Sequence, residues 1–158
     1  MNPPSKLDEV LRHLNDKGIT LPPGKIHITG YGDEAELSNA LLALIRNGKK
    51  RAGTSLVWQH EYDNEAWAEV GDIEIVLDHS GNPSIVTRIA HCEILPFKSV
   101  NAEYAAMEGE GDGSLNYWRQ AHWDYFSRVC TEIGKSPSED MLVVCSVFEV
   151  IHIFPRTD

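Results

Sequence analysis

No hydrophobic run in this chain approaches the roughly 18 apolar residues that a helical membrane span needs. Its start, MNPPSKLDEV, lacks the apolar core of a signal peptide, so the expected location is cytoplasmic. Cysteine is scarce: Cys92, Cys130 and Cys145 are odd in number and form no C-x-x-C pair, which argues against a disulfide framework or a zinc knuckle. Positive charge is in short supply as well, with 14 Lys and Arg against 24 Asp and Glu and a net charge of -10. Phosphate binding is driven by Lys and Arg, so a general nucleic-acid sink is disfavoured, although a local basic mouth on an acidic body is not. None of the seven histidines forms an H-x-x-x-H pair, no G-K-[ST] follows a glycine run, and the D-x-D-x-D-G spacing of an EF-hand is missing. Internal repeats and low-complexity blocks are absent too.

What remains is a chain of 158 residues, 42% hydrophobic, of a size that forms one domain with a sizeable core. Residues 1–24 read as an N-terminal helix and its connection, and 25–158 as the body of that domain. Leu7, Val10, Leu11 and Leu14 recur at helical spacing, with Ser5 as N-cap and Gly18 as the stop. LPPGKIHITGYGD reads as a turn-rich connection with a short strand. Asp33 is the expected N-cap of a second helix, with Leu37, Ala40, Leu41, Leu44 and Ile45 on its apolar stripe and Asn47-Gly48 at its end. TSLVW reads as a strand, and GDIEIVLD and IVTRIAHCEIL as a hairpin turning at HSGNPS. A helical stretch at SVNAEYAAM leads to the loop EGEGDG. A long helix follows, capped by Ser114, striped by Leu115, Trp118, His122, Tyr125, Phe126, Val129 and Ile133, and closed by Gly134. MLVVCSVFEVIHIF ends the chain as a long or bent strand. This order predicts an α+β fold, a small mixed barrel with helices packed around it.

The candidate chemistry begins at ALIRNGKKRAGTSL, where Lys49, Lys50 and Arg51 follow a glycine and precede Thr54 and Ser55. At a helix C-terminus the macrodipole alone favours each cation by about 0.3–1 kcal/mol, so a solvated cluster is one reading. A charged clamp for phosphate or carbonyl is a second, and a lysine base activated by like-charged neighbours and burial is a third. Glu108, Glu110 and Asp112 stand among glycines just before the long helix. They suit its dipole, a cleft carboxylate, or a hard divalent cation such as Mg²⁺ or Mn²⁺. Trp58 is the candidate for stacking on a base and Tyr31, in a glycine-flanked turn, for lining a cleft. His122 shares the apolar face of the long helix and reads as a core histidine.

GYGD, GKKRA-T-SL, VGD, EGEGDGSL--WR-AHW-YF and VVC--F-V follow one another in an order that resembles the ASCH domain family of PUA-like barrels, in particular its longer bacterial members once grouped as a domain of unknown function. The resemblance runs from about Gly30 to Phe154. It implies a cleft facing RNA or a nucleoside. Some members resemble single-strand ribonucleases, and some short ones deacylate N4-acetylcytidine through a Lys-x-x-Thr pair and a Glu. By position the lysine is Lys50 and the glutamate Glu110, while Gly53 stands where the threonine would be and Thr54 and Ser55 follow it. Thr54 completes the set only if its side chain reaches the same space. Ser127 matches a serine that family nucleases use. The expected activity is thus hydrolysis of single-stranded RNA, with a binding module or an N4-acylcytidine amidohydrolase as alternatives. Catalysis would fall to Lys50, Glu110, Thr54 and Ser127, and substrate contact to Tyr31, Lys49, Arg51, Ser55, Trp58 and Glu108.

Overall fold

The computed structural model describes residues 5–156. Helix α1 (Lys6–Asp16) opens with a full capping box, in which the Ser5 hydroxyl accepts from the Asp8 N–H and the Asp8 carboxylate accepts from the Ser5 N–H. Strand β1 is Ile26–Gly30, helix α2 Ala35–Arg46 and strand β2 Ala52–Leu56. Helix α3 (Val57–Asp63) follows with no intervening turn. Strands β3 (Ile73–Leu77) and β4 (Pro83–Pro96) form the hairpin, then come α4 (Ala102–Glu108), α5 (Leu115–Ile133) and β5 (Leu142–Ile153).

The five strands make one sheet in the order β1-β3-β4-β5-β2, with β1 parallel to β3 and the other pairs antiparallel. Register shifts at Val76/Leu77, Val86/Thr87 and Ile89/His91 let the long strands bend, and the sheet curls into a half-barrel. The sheet thus ends in two edges, β1 and β2, and the cavity described below lies between them. Helix α1 covers one face, with Val10 and Leu14 against Ile73, Ile75 and Val86. Helices α4 and α5 cover another, where Trp118, Phe126 and Val129 meet Ala52, Leu56, Val143 and Cys145. These are the apolar stripes expected of the two helices, at the expected caps Ser5 and Ser114.

Two expectations need correction. The N-cap of α2 is Glu34, which makes no side-chain cap bond, because Asp33 is drawn to Arg128 at 2.8 Å. TSLVW is not one strand: β2 stops at Leu56, and Val57 and Trp58 begin α3, whose end is set by Asn64 in the left-handed region (φ 54).

Candidate functional site

The turn after α2 separates the three cations. Both Lys49 and Lys50 donate their backbone N–H to the Leu44 carbonyl, and the Arg51 N–H bonds Met107 O at the end of α4. Lys50 is thereby turned inward, only 1% exposed, while Lys49 stays on the surface. Arg51 folds back, its guanidinium donating to the carbonyls of Ile45 and Lys50, which closes the helix end. Of the cluster, Lys50 alone lines the cavity.

Its partners come from the end of α4 and the loop that follows. Lys50 Nζ donates to Glu108 Oε1 at 2.6 Å and to Glu110 Oε2 at 3.1 Å. Glu108, also 1% exposed, is the hub. Its Oε2 accepts from Thr54 Oγ1 at 2.6 Å, from His122 Nε2 at 3.1 Å and from the Trp118 indole N–H. Gly109, at φ 67, makes this possible: a Cβ there would meet Lys49 O at 2.1 Å. Thr54 therefore does reach the carboxylate that holds the lysine, on the side of β2 that faces Tyr104, whose hydroxyl donates to Gly53 O at 2.8 Å. The opposite side of the strand belongs to Tyr31. A Cβ on Gly53 would lie 2.9 Å from the Tyr31 hydroxyl, so glycine at this position makes room for the tyrosine ring. Lys50 Nζ sits 5.5 Å from the centre of that ring.

Charge follows from these contacts. Burial works against the Lys50 ammonium, but Glu108 and Glu110 outweigh it and raise its pKa. Burial would raise Glu108, yet Lys50 and His122 hold it well below the usual range. Glu110 is pushed up by burial, with the Glu108 charge adding and Lys50 opposing. His122 is buried too, yet Glu108 and Glu110 raise its pKa. Its Nδ1 bonds Trp118 O at 2.9 Å and its Nε2 lies 3.1 Å from Glu108 Oε2, a setting that favours the protonated ring. The site thus sets Lys50 and His122 against two carboxyls. Glu108, Glu110 and His122 bring ligand atoms within 4.8 Å of one another, as a metal site would. The Lys50 ammonium already lies between the two carboxylates, and a divalent cation there would have to displace it.

The cavity has a volume of about 570 Å³ and is also lined by Tyr31, Ser55, His60, Trp67, Glu74 and Tyr125. Ser55 Oγ bonds His60 Nε2 at 2.7 Å, and His60 Nδ1–H donates to Glu65 O at 3.2 Å. Burial lowers the His60 pKa, which leaves the ring neutral. Four expected site residues lie elsewhere, Arg51 among them at the end of α2. Trp58 packs beside the α5 core under Lys135 Nζ, 5.4 Å from its ring, because the chain has already turned into α3. Ser127 donates to Trp123 O at 2.6 Å, one turn back on its own helix, and does not line the cavity. Lys49 is on the outer surface. Sequence reasoning passed over His122 and Trp118 as core residues, and Tyr104 and His60 altogether. The available signal was a polar tip at i and i+4 on the apolar stripe of α5, beside an acidic loop.

No curated protein matches the chain. Among solved structures, the ASCH domain of Lactobacillus crispatus JV V101 is 32% identical, with 92% of this chain and 88% of that one covered and a TM-score of 0.74. A protein of Enterococcus faecalis V583 assigned to the family DUF984 is 27% identical, with 91% and 86% covered and a TM-score of 0.76. The model of the ASCH domain matches residues 27–152, which takes in both sheet edges, Lys50, Thr54 and the Glu108–Glu110 loop, and the chain belongs to the ASCH domain family.

Proposed function

We propose that this ASCH domain hydrolyses an amide carried by a nucleobase, with N4-acylcytidine as the substrate class, at Lys50, Thr54, Glu108 and Glu110. The observation that carries the reading is the hydrogen-bonded line Thr54–Glu108–Lys50–Glu110 on the wall of a cavity of about 570 Å³. That volume lies within the range of about 300–1,000 Å³ typical of small-molecule sites. The PUA-like modules to which ASCH domains belong are an RNA-binding class, which fits a ligand that is a component of RNA.

Charge favours a nucleoside over a strand. Lys50 is offset by two carboxyls, and Asp63, Glu65, Glu74 and Asp124 line the same cavity. Arg128, at its rim, is tied to Asp33. Lys49 and Arg51, the other cations of the cluster, do not line the cavity. A phosphodiester backbone finds little here to neutralise it. Cleavage of single-stranded RNA, the activity expected first from the sequence, is therefore the weaker reading.

Roles follow from protonation. The Lys50 ammonium has three N–H donors and uses two on Glu108 and Glu110, so the third is free for the acyl oxygen as negative charge builds on it. Glu108 is held ionised and is a poor base. Glu110, with its pKa raised, is suited to take a proton from the attacking water and return it to the departing exocyclic amine. The acyl carbon gains the water oxygen, the amide C–N bond breaks, and a carboxylic acid and the deacylated nucleoside leave. Thr54 anchors Glu108 in place.

The test is incubation with N4-acetylcytidine, following cytidine by chromatography, beside an end-labelled single-stranded RNA. Turnover by the parent and a loss of about 10²–10⁴-fold in Glu110→Gln, with intact RNA, is the expected result. No cytidine from the parent would sink the proposal, and cleavage of the RNA by the parent that is lost in Lys50→Ala would restore the nuclease.

A further inference from the structure

The floor of the cavity carries a polar group that this centre does not use. Along β3, Ile73 and Ile75 point toward α1, while Glu74 and Val76 point to the concave face of the half-barrel. Glu74 lines both the main cavity and an adjoining pocket of about 300 Å³. Among the described residues its carboxyl has no hydrogen-bond or ion-pair partner. His27, its neighbour on β1, turns instead to Asp72 at 2.8 Å. Its neighbour on β4, Thr87, is fully buried, and the Thr87 hydroxyl is also without a partner. The Thr87 hydroxyl costs folding free energy unless something arrives to meet it, and Glu74, half-buried beside it, is the group that opens to the cavity. Lone acidic residues on open surfaces are commonplace; this one lines the same cavity as Lys50 and Glu110.

We infer that Glu74 is the group that reads the ligand, its carboxyl pairing with the ring nitrogen and the exocyclic amine on the hydrogen-bonding edge of a cytosine. This inference rests on the nucleoside reading and adds the residue that selects the base. Burial pushes the Glu74 carboxyl up, against the pull of His27 and with the help of Asp72, toward the neutral form that offers one donor and one acceptor. Cytosine presents the complementary pair, and acylation of the amine leaves one N–H in place, so the edge survives in the substrate. Tyr31 lines the same cavity with its ring centre 5.5 Å from Lys50 Nζ, and burial together with the charges of Glu74, Glu108 and Glu110 raises its phenol pKa. Trp67 borders the same floor beside His60, with ring centroids 5.7 Å apart. A base held on Glu74 thus shares its cavity with Lys50 and Glu110.

The experiment measures binding, separately from turnover. Cytidine and pyrimidin-2-one riboside, which lacks the exocyclic amine, are titrated into the parent, Glu74→Ala and Glu74→Gln by calorimetry, with thermal melts to show that each variant is folded. A bidentate pair discriminates by roughly 5- to 150-fold, so the parent should prefer cytidine by that factor. Glu74→Gln keeps a donor and an acceptor and should retain the preference, whereas Glu74→Ala should lose it. A preference that survives in folded Glu74→Ala overturns the assignment of Glu74 alone. Absence of cytidine binding to the parent overturns the inference and the nucleoside reading together. If cytidine binds with this pattern and N4-acetylcytidine is not hydrolysed, the hydrolytic reading fails and base selection by Glu74 stands.

Discussion

Replacing Glu108 with Gln keeps the size of the side chain and removes its charge. In the folded protein Glu108 accepts from four donors, Lys50, Thr54, Trp118 and His122, and both it and Lys50 are 1% exposed. The variant leaves Lys50 with Glu110 alone, at 3.1 Å, and turns an amide N–H₂ toward groups that themselves donate. Removing one partner of a buried pair costs about 3–5 kcal/mol, because the remaining charge is buried without compensation. In a domain of 150–250 residues each kcal/mol moves the melting temperature by about 2–4 °C, so the expected fall is roughly 6–20 °C. Circular dichroism melts of the parent, Glu108→Gln, Lys50→Met and the double variant measure it. The double variant removes the orphaned cation as well and should recover part of the loss, as buried pairs replaced by apolar groups often do. A Glu108→Gln melt within about 2 °C of the parent would show that Lys50 is not held as described. A double variant no more stable than the worse single one would refute the account of why the pair matters.

The same contacts set the pH dependence. Burial opposes the His122 charge but Glu108 and Glu110 raise its folded pKa above 6.5, so its contribution is complete below pH 6.5 and is lost as the pH rises through the raised value. The melting advantage of the parent over His122→Phe should therefore shrink with rising pH, and an advantage that grows would reverse the sign assigned to this residue. Gly53→Thr puts a side chain where Tyr31 lies, 2.9 Å from its hydroxyl, and should cost about 1–3 kcal/mol in denaturant unfolding. An unchanged midpoint would mean that Tyr31 moves aside freely.

How much of this was legible in the sequence depends on the range of the physics involved. The stripes of α1 and α5, their caps, the β3–β4 hairpin and the bent last strand are local patterns, and all of them form. Helix α3 does not announce itself: seven residues are too few for a helical period, and VW prolongs the β-rich reading of TSL. The side of the turn on which Lys50 faces is also beyond local pattern. It is settled by Leu44 O taking two N–H groups and by Met107 O taking the N–H of Arg51, a contact across 56 positions. Trp58 and Ser127 went astray for the same reason, since both positions depend on which way a helix turns. Glu110 was expected to be the principal carboxylate, but Glu108 makes more contacts, because its place at the end of α4 puts it under Trp118 and His122.

A protein of net charge -10 gathers cations at one turn because they do three separate things there. Arg51 closes a helix, Lys49 stays in water, and Lys50 enters the half-barrel to offset carboxyls that no other residue of the cluster reaches. Counted as a basic mouth, the three would recruit phosphate. Placed as they are, they leave a cavity whose carboxyls outnumber its cations, with one lysine N–H in reserve, which favours a neutral acyl group over a polyanion. Position 53, where family resemblance sets a threonine, is glycine here, and Tyr31 takes the space a side chain at 53 would need. Tyr31 and Gly53 therefore constitute one unit, and a variant of either reports on the other.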